Sequence, residues 1–249
     1  VGFHSRHLAF IFPTAMIGPM RCIFGGTDEA GEVDLDRLYG VARHRIGRRP
    51  WVGVCMIASL DGSVAVEGRS GGLGNANDRA ILAALRDAAD VILVGARSAV
   101  AEAYRSPRKS GQRIGVVTAS GDVPSATDLF TSGSGFLVMP EDGPAGPPGI
   151  DIVRAGRRTV DLPLALGRLG DVTESPVFVQ AEGGAGLNGA LLDADCIDEL
   201  NLSVAPVLAG GVGSRLIVAA GEWRRRYQPV HVLADDDGYL FTRWVRRRA

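Results

Sequence analysis

Val177-Phe178-Val179-Gln180-Ala181 runs directly into Glu182-Gly183-Gly184-Ala185-Gly186-Leu187-Asn188-Gly189-Ala190-Leu191-Leu192. This succession of apolar run, glycine turn and helix-forming residues constrains the fold more than any other feature of the chain. A short apolar run bounded by turn residues suits a strand covered on both faces, the habit of parallel sheets. A strand that turns on glycine into a helix is how α/β proteins cradle a phosphate. Glycine lets the backbone approach an anion closely, and the first free N–H groups of the helix, expected to begin near Leu187, point at it with a favourable dipole. A dinucleotide is the natural guest. Gly184-x-Gly186-x-x-Gly189 also spells the Rossmann fingerprint, which belongs to an early βαβ unit with an acidic residue about 20 positions further on. Here the motif lies late, Asp193, Asp195, Asp198 and Glu199 come too soon, and the next strand, expected over 197–208, has no acid at its far end. The phosphate reading is kept and the Rossmann label rejected; a tight turn without a ligand is the plainer alternative.

The rest of the chain repeats the alternation. Trp51 to Ala58 is nearly all apolar and is expected as a strand ended by Ser59-Leu60-Asp61-Gly62. Asn75 or Asn77 is placed to cap a helix in which Ile81, Leu82, Leu85 and Ala89 recur at helical spacing, with Asp78 in the first turn where the dipole favours an acid. Val91-Ile92-Leu93-Val94-Gly95 is a buried strand, and 96–103 a short helix before a basic loop with Arg105, Arg108, Lys109 and Arg113. Further strands are expected over 114–118, 135–138 and 150–154, and a helix near 162–169. Strands and helices in turn predict a single α/β domain over 51–249. Asp235-Asp236-Asp237-Gly238 between two apolar runs reads as a hairpin turn, since Asp-Gly supplies positive φ, and it lacks the ligand pattern of a calcium loop. Residues 1–50 are expected to form a partly flexible arm, with a helical look at 34–39, a basic linker over 43–50, and order beginning near Arg21.

Composition narrows the function classes. Net charge is −1, and Lys109 is the only lysine among 27 basic residues. The arginines are scattered and matched by a similar number of acids, so nucleic acid is a poor partner. Cys22, Cys55 and Cys196 are widely spaced, without a C-x-x-C pair, and read as reduced thiols of a cytoplasmic protein with no metal site. The apolar stretch Leu8 to Met20 is interrupted by Pro13 and Pro19 and is too short to span a bilayer. It reads as a loosely packed arm, and a membrane role is not expected.

Two blocks fit one family. Met56-Ile57-Ala58-Ser59-Leu60-Asp61-Gly62, followed by Gly68-Arg69-Ser70-Gly71-Gly72-Leu73, Asp78-Arg79, Leu85-Arg86 and Asp90 to Gly95, resembles the first half of the reductase domain of the bifunctional riboflavin-biosynthesis deaminase/reductase. Glu182-Gly183-Gly184, through Leu187 to Leu192, Asp198-Glu199-Leu200 and Ala205-Pro206, resembles its second half. Stand-alone actinobacterial pyrimidine reductases look most alike. The resemblance spans roughly 51–245. It implies a dihydrofolate-reductase-like three-layer fold with a central, mostly parallel twisted sheet and an antiparallel C-terminal hairpin. It also implies a homodimer that binds NADPH and reduces the ribosyl group of a phosphoribosylamino-pyrimidine to ribityl. The zinc signature of the partner deaminase has no counterpart here.

The resemblance also implies site residues. Backbone of Ile57 and Ala58, with Gly72, would lie beside the cofactor, and Ser98 near its phosphates. Gly183, Gly184, Ala185, Gly186 and Leu187 would hold the pyrophosphate and nicotinamide side, and Thr118 with Ser120 the adenosine 2′-phosphate. Ser70 and Arg86 match positions that bind the phosphorylated sugar, with a second phosphate contact from Arg105, Arg108 or Lys109. Hydride from the cofactor needs alignment with the sugar's C1′ imine carbon at near-attack distance, about 3–3.5 Å, and an acid beside the imine nitrogen. Asp78, Glu182 and Glu102 are the carboxylates the motif places there, Asp78 and Glu182 first. Departures from the family pattern fall at Ala185-Gly186, at Asn75-Ala76-Asn77-Asp78 and at Glu102. They keep two rivals open: a dihydrofolate-type reductase of a pteridine, and a nucleotide-binding protein without catalysis.

Overall fold

A computed structural model describes residues 17–25, 33–66 and 68–248. The expectations placed on 1–16, including most of the apolar stretch from Leu8, lie outside the described residues. Ten strands form one sheet: β1 (Met20–Phe24), β2 (Trp51–Ser59), β3 (Val91–Gly95), β4 (Arg113–Val117), β5 (Gly135–Met139), β6 (Asp151–Arg154), β7 (Phe178–Ala181), β8 (Glu199–Ala205), β9 (Tyr227–Asp235) and β10 (Leu240–Arg246). Their order across the sheet is β1-β9-β10-β8-β2-β7-β3-β4-β5-β6. Every pairing from β8 to β6 is parallel, and β8, β10, β9 and β1 pair antiparallel. The expected parallel sheet with a C-terminal hairpin is therefore present. Asp235 Oδ1 accepts from the Tyr239 amide at 2.9 Å across the hairpin turn, and Gly238 there has φ +86°.

Strand alternation sends one set of side chains to each face. Val91 and Leu93 pack with Val52, Val54, Val179 and Ala181 under α5 (Leu162–Gly167) and α6 (Ala185–Asp193). Ile92 and Val94 turn the other way, onto Ile114, Val116, Leu129 and Phe130, beside α3 (Ala96–Ala101) and α4 (Asp128–Thr131). On that second face α2 (Ala76–Ala88) lays Ile81, Leu85 and Ala89 against Phe178 and Phe241. Three layers result, because each apolar strand has two faces to cover.

Residues before Trp51 contribute to this body. Met20–Phe24 extends the antiparallel edge against β9, and α1 (Leu35–Tyr39), capped by Asp34, buries Tyr39 against α2 and β10. The segment read as a basic linker carries Arg43 and Arg49, whose guanidiniums are drawn into the sheet by Glu199 and Asp198. Charge pairing at the start of β8 buries Arg43 and half-buries Arg49, while Arg45 and Arg48 stay exposed, a division that composition alone does not announce. The helix after the glycine turn begins at Ala185, two residues before the expected start, and the brief α4 was not anticipated.

Candidate active site

In an open α/β sheet, ligands settle outside the carboxyl ends of the parallel strands. Here a cavity of about 930 Å³ opens at the ends of β2, β7, β3 and β4, between the first turn of α2, α3 and the first turn of α6. Its wall joins residues that sequence had separated: Cys55 to Ile57, Ser70, Asp78, Gly95 to Ser98, Glu102, Tyr104, Thr118, Ser120, Glu182, and Gly184 to Leu187.

One half of the wall offers donors. β7 ends by giving the Glu182 amide to the Leu93 carbonyl (2.9 Å), and the Gly183 carbonyl accepts from the Gly95 amide (2.7 Å). Gly183 has φ +78° and is joined to Gly184 by a cis peptide. The positive φ is what favours glycine there; a Cβ would also press on Met56 Sδ at 2.8 Å, the end of a flexible side chain. Gly184 is the N-cap of α6 and no side chain caps it. The amides of Ala185, Gly186 and Leu187 thus belong to a first turn without intrahelical partners, at the cavity wall. A Cβ at Gly184 would sit 2.7 Å from Ser98 Oγ, and one at Gly186 would be 3.9 Å from Arg97 Nη2. Amides, a hydroxyl and a guanidinium without a nearby carboxylate partner among these residues suit a phosphate, and the donor set fits a phosphate-bearing nucleotide cofactor.

The other half holds carboxylates. Glu182 accepts from Arg86 through Nε (2.7 Å) and Nη2 (2.6 Å), from the Tyr104 hydroxyl, and from Gln180 Nε2 (3.0 Å). Its side chain is 4% exposed while that of Arg86 is 37% exposed; Glu182 is the member of the pair that lines the cavity, and Arg86 does not line it. Burial disfavours the Arg86 charge, but the hydrogen bond and charge of Glu182 outweigh it and keep the guanidinium ionised. Burial, then the Glu182 carboxylate, pushes the Tyr104 hydroxyl well above its ordinary range. Asp78 stands apart from this cluster. Burial raises its carboxyl above the usual range, against the lowering effects of a hydrogen bond from Ser203 and the charge of Arg79. A raised carboxyl at a cavity wall is what proton transfer asks of an acid.

Of the expected site residues, Ile57, Ser70, Asp78, Ser98, Glu102, Thr118, Glu182, Gly184, Ala185, Gly186 and Leu187 line the cavity. Glu102 is spent on Ser70, accepting from its amide and hydroxyl at 2.9 Å each, which ties the loop after β2 to the end of α3. Gly183 stands just behind the wall. Ala58 and Gly72 do not line the cavity: Ala58 is buried in β2, and Gly72 packs towards Val66. Arg86 reaches the site through Glu182. The basic loop departs from expectation. Arg105 lines a separate apolar cavity on the far side of Tyr104, Arg108 lines neither, and Lys109 donates to the Asp87 and Ala89 carbonyls. Gly189 serves packing, since a Cβ there would run into the Val218 carbonyl at 1.8 Å.

Sequence reasoning missed Arg97, Tyr104, Gln180 and Ser203. Gln180 did carry a signal: an amide in the middle of an apolar strand must find a partner when buried. Tyr104 and Ser203 carried none, because only the fold brings Tyr104 to Glu182 and Ser203 to Asp78.

Comparison with known proteins agrees with this geometry. The family model of the RibD C-terminal domain matches residues 50–241. A curated relative from Methanothermobacter thermautotrophicus, 2,5-diamino-6-ribosylamino-4(3H)-pyrimidinone 5′-phosphate reductase, is 27% identical over 186 residues, covering 68% of this chain and 84% of the relative. Among solved structures, a pyrimidine reductase-like protein from Corynebacterium diphtheriae superposes with a TM-score of 0.74 at 22% identity, covering 87% of this chain and all of that one. RibD of Acinetobacter baumannii gives 0.68 at 20% identity, covering 81% of this chain and 59% of that one. With its sheet order, its glycine turn at the end of β7 and a family match over most of its length, this chain belongs to the RibD C-terminal domain family.

Proposed function

We propose that the chain is an NADPH-dependent reductase of a phosphoribosylamino-pyrimidine in riboflavin biosynthesis, converting the ribosyl group to ribityl. The observation that carries this reading is the pairing, in one cavity, of an uncapped helix N-terminus with a buried carboxyl group held above its usual range. The activity named for the archaeal relative supports the choice of substrate class.

When bound, NADPH supplies the hydride, and the chain's own groups do the rest. The first turn of α6, with Ser98 and Arg97, would hold the cofactor's phosphates, and Thr118 and Ser120, past the end of β4, would face its adenosine side. Asp78, whose carboxyl burial raises above its ordinary range, would donate a proton to the imine nitrogen of the open-chain sugar as hydride adds at C1′. Glu182 is engaged by Arg86, Tyr104 and Gln180 and is held as a fixed acceptor. Its part is orientation: anchored by Arg86 from behind, it fixes the Tyr104 ring at the cavity wall.

The test is direct. Mixing the protein with NADPH should change the cofactor's fluorescence, and adding the phosphoribosylamino-pyrimidine should consume it at 340 nm. Asp78→Asn should lower kcat by about 10²–10⁴ with cofactor affinity kept. Consumption with dihydrofolate alone would replace the reading by a pteridine reductase, and cofactor binding without turnover of either substrate would replace it by a nucleotide-binding role.

A further inference from the structure

Asp235 lies in the β9–β10 hairpin, 160 residues from Asn75, and takes no part in the cavity wall. It is 2% exposed, and a buried carboxylate must be matched by donors. Those donors come from the one turn that carries the proposed acid. Oδ2 accepts from Asn75 Nδ2 at 2.7 Å and from Asn77 Nδ2 at 3.0 Å, while Oδ1 is held by the Tyr239 amide at 2.9 Å. Asn75 in turn accepts from the Asp78 amide through Oδ1 at 3.0 Å, capping α2. Tyr239 closes the circuit from the other side, its hydroxyl donating to the Leu73 carbonyl at 2.8 Å. Asn77 is itself 2% exposed, so the clamp is shielded from solvent on both partners.

We propose that Asp235 is a positioning residue: one buried carboxylate of the C-terminal hairpin grips Asn75 and Asn77 on either side of Ala76 and thereby sets where the Asp78 carboxyl stands in the cavity. This rests on the reading of Asp78 as the proton donor. Asn75 and Asn77 fall in the turn where the chain departs from its family's pattern, and both direct their amides to Asp235. The physical reason for the effect is distance. A proton donor displaced by about 1 Å can cost on the order of a hundredfold in rate. Replacing Asp235 by Asn forces the choice: its one oxygen meets either the two asparagine amides or the Tyr239 amide, and its own NH₂ is turned against the other.

Asp235→Asn should lower kcat about tenfold to a hundredfold, leave the NADPH dissociation constant within about twofold because the α6 turn is untouched, and shift the alkaline limb of kcat against pH downward as Asp78 gains solvent. Hydrogen exchange at the amides of 76–79 should accelerate in the same variant, a readout that does not use turnover. Asn77→Asp placed in the Asp235→Asn background restores one amide–carboxylate pair with the roles reversed, and should recover part of kcat. Should Asp235→Asn fail to fold, Asn77→Ala, which removes one donor, is read in the same way. A wild-type pH profile and unchanged exchange at 76–79 would overturn the proposal, as would loss of stability with kcat intact. Asp78→Asn run alongside separates the two readings. If that variant keeps wild-type kcat, the acid assignment fails and takes the catalytic role of the clamp with it; if it loses kcat while Asp235→Asn keeps it, the clamp alone fails.

Discussion

Carboxylates meet arginines at both ends of the parallel strands, with different outcomes. At the amino end, Glu199 accepts from Arg43 (2.8 and 3.0 Å), Arg243 (3.0 and 3.1 Å), Trp51 Nε1 (3.1 Å) and Asn201 Nδ2 (3.0 Å). The Arg43 guanidinium also lies 3.8 Å over the Phe178 ring. Burial opposes the Glu199 charge, but hydrogen bonds and charges from Arg43 and Arg243 overcome it and bring the carboxyl down to about 2. Neighbouring Asp198 is clasped by Arg49 and Arg248. None of these residues lines either of the two cavities described above. At the carboxyl end, Glu182 lines a cavity and has one arginine, itself partly exposed, and Asp78 is left without any such bidentate partner. Excess cation seals a carboxylate into the frame. A shortage of cation leaves one able to carry a proton.

The largest expected effect breaks the frame. Glu199→Gln leaves Arg43 and Arg243 buried without their counter-charge, and should cost about 3–5 kcal/mol of stability, read from chemical denaturation. A cost below about 1 kcal/mol would make the two ends equivalent and undo the comparison. At the cavity end the corresponding change, Glu182→Gln, should be felt mainly in turnover. It frees Arg86 and Tyr104 and should lower kcat/KM by about a hundredfold, with a smaller stability loss because Arg86 can turn to solvent.

A pH experiment sharpens the picture at the amino end. His231 is buried edge-on against Tyr39, and burial, helped by the Arg243 charge, lowers it from 6.5 to about 4. The folded chain thus stays unprotonated where the unfolded chain takes up a proton, so stability is full above 6.5 and is lost as pH falls towards 4. At about 1.4 kcal/mol per unit, the loss approaches about 3 kcal/mol, and it should vanish in His231→Gln when melting is compared at pH 7 and pH 4.5. Asp78 has the opposite sign. Its raised carboxyl makes the folded state less stable as pH climbs through and beyond its ordinary 3.8, so Asp78→Asn should melt slightly higher than wild type at pH 7. The smallest effect belongs to Arg105→Ala and Arg108→Ala, which should change KM for the phosphorylated substrate by less than about twofold, since neither side chain lines the site.

Much of this was legible beforehand. Continuous apolar runs placed β2, β3 and β7, and a period of 3.6 placed α2, within a few residues, because burial on both faces leaves a strand few polar interruptions. The glycine turn at 183–186 was legible since only glycine tolerates φ +78° with Met56 pressed against it. The basic loop at 105–109 misled, because charge near a motif says nothing of direction: Lys109 was used to hold the end of α2, and Arg105 faced away. Arg43 and Arg49 misled in the other direction: read as part of a linker, they pair with Glu199 and Asp198.

Local sequence by itself determined the elements, the phosphate-suited turn and the hairpin, since each depends on the φ preferences and burial of residues a few positions apart. Tertiary structure decided which acid is sealed and which is poised. Arg86 and Glu182 are 96 residues apart and Arg43 and Glu199 are 156 apart. Only the order of strands in the sheet brings them together, and the strength of a charge pair follows from that distance and its burial rather than from the residues' identity.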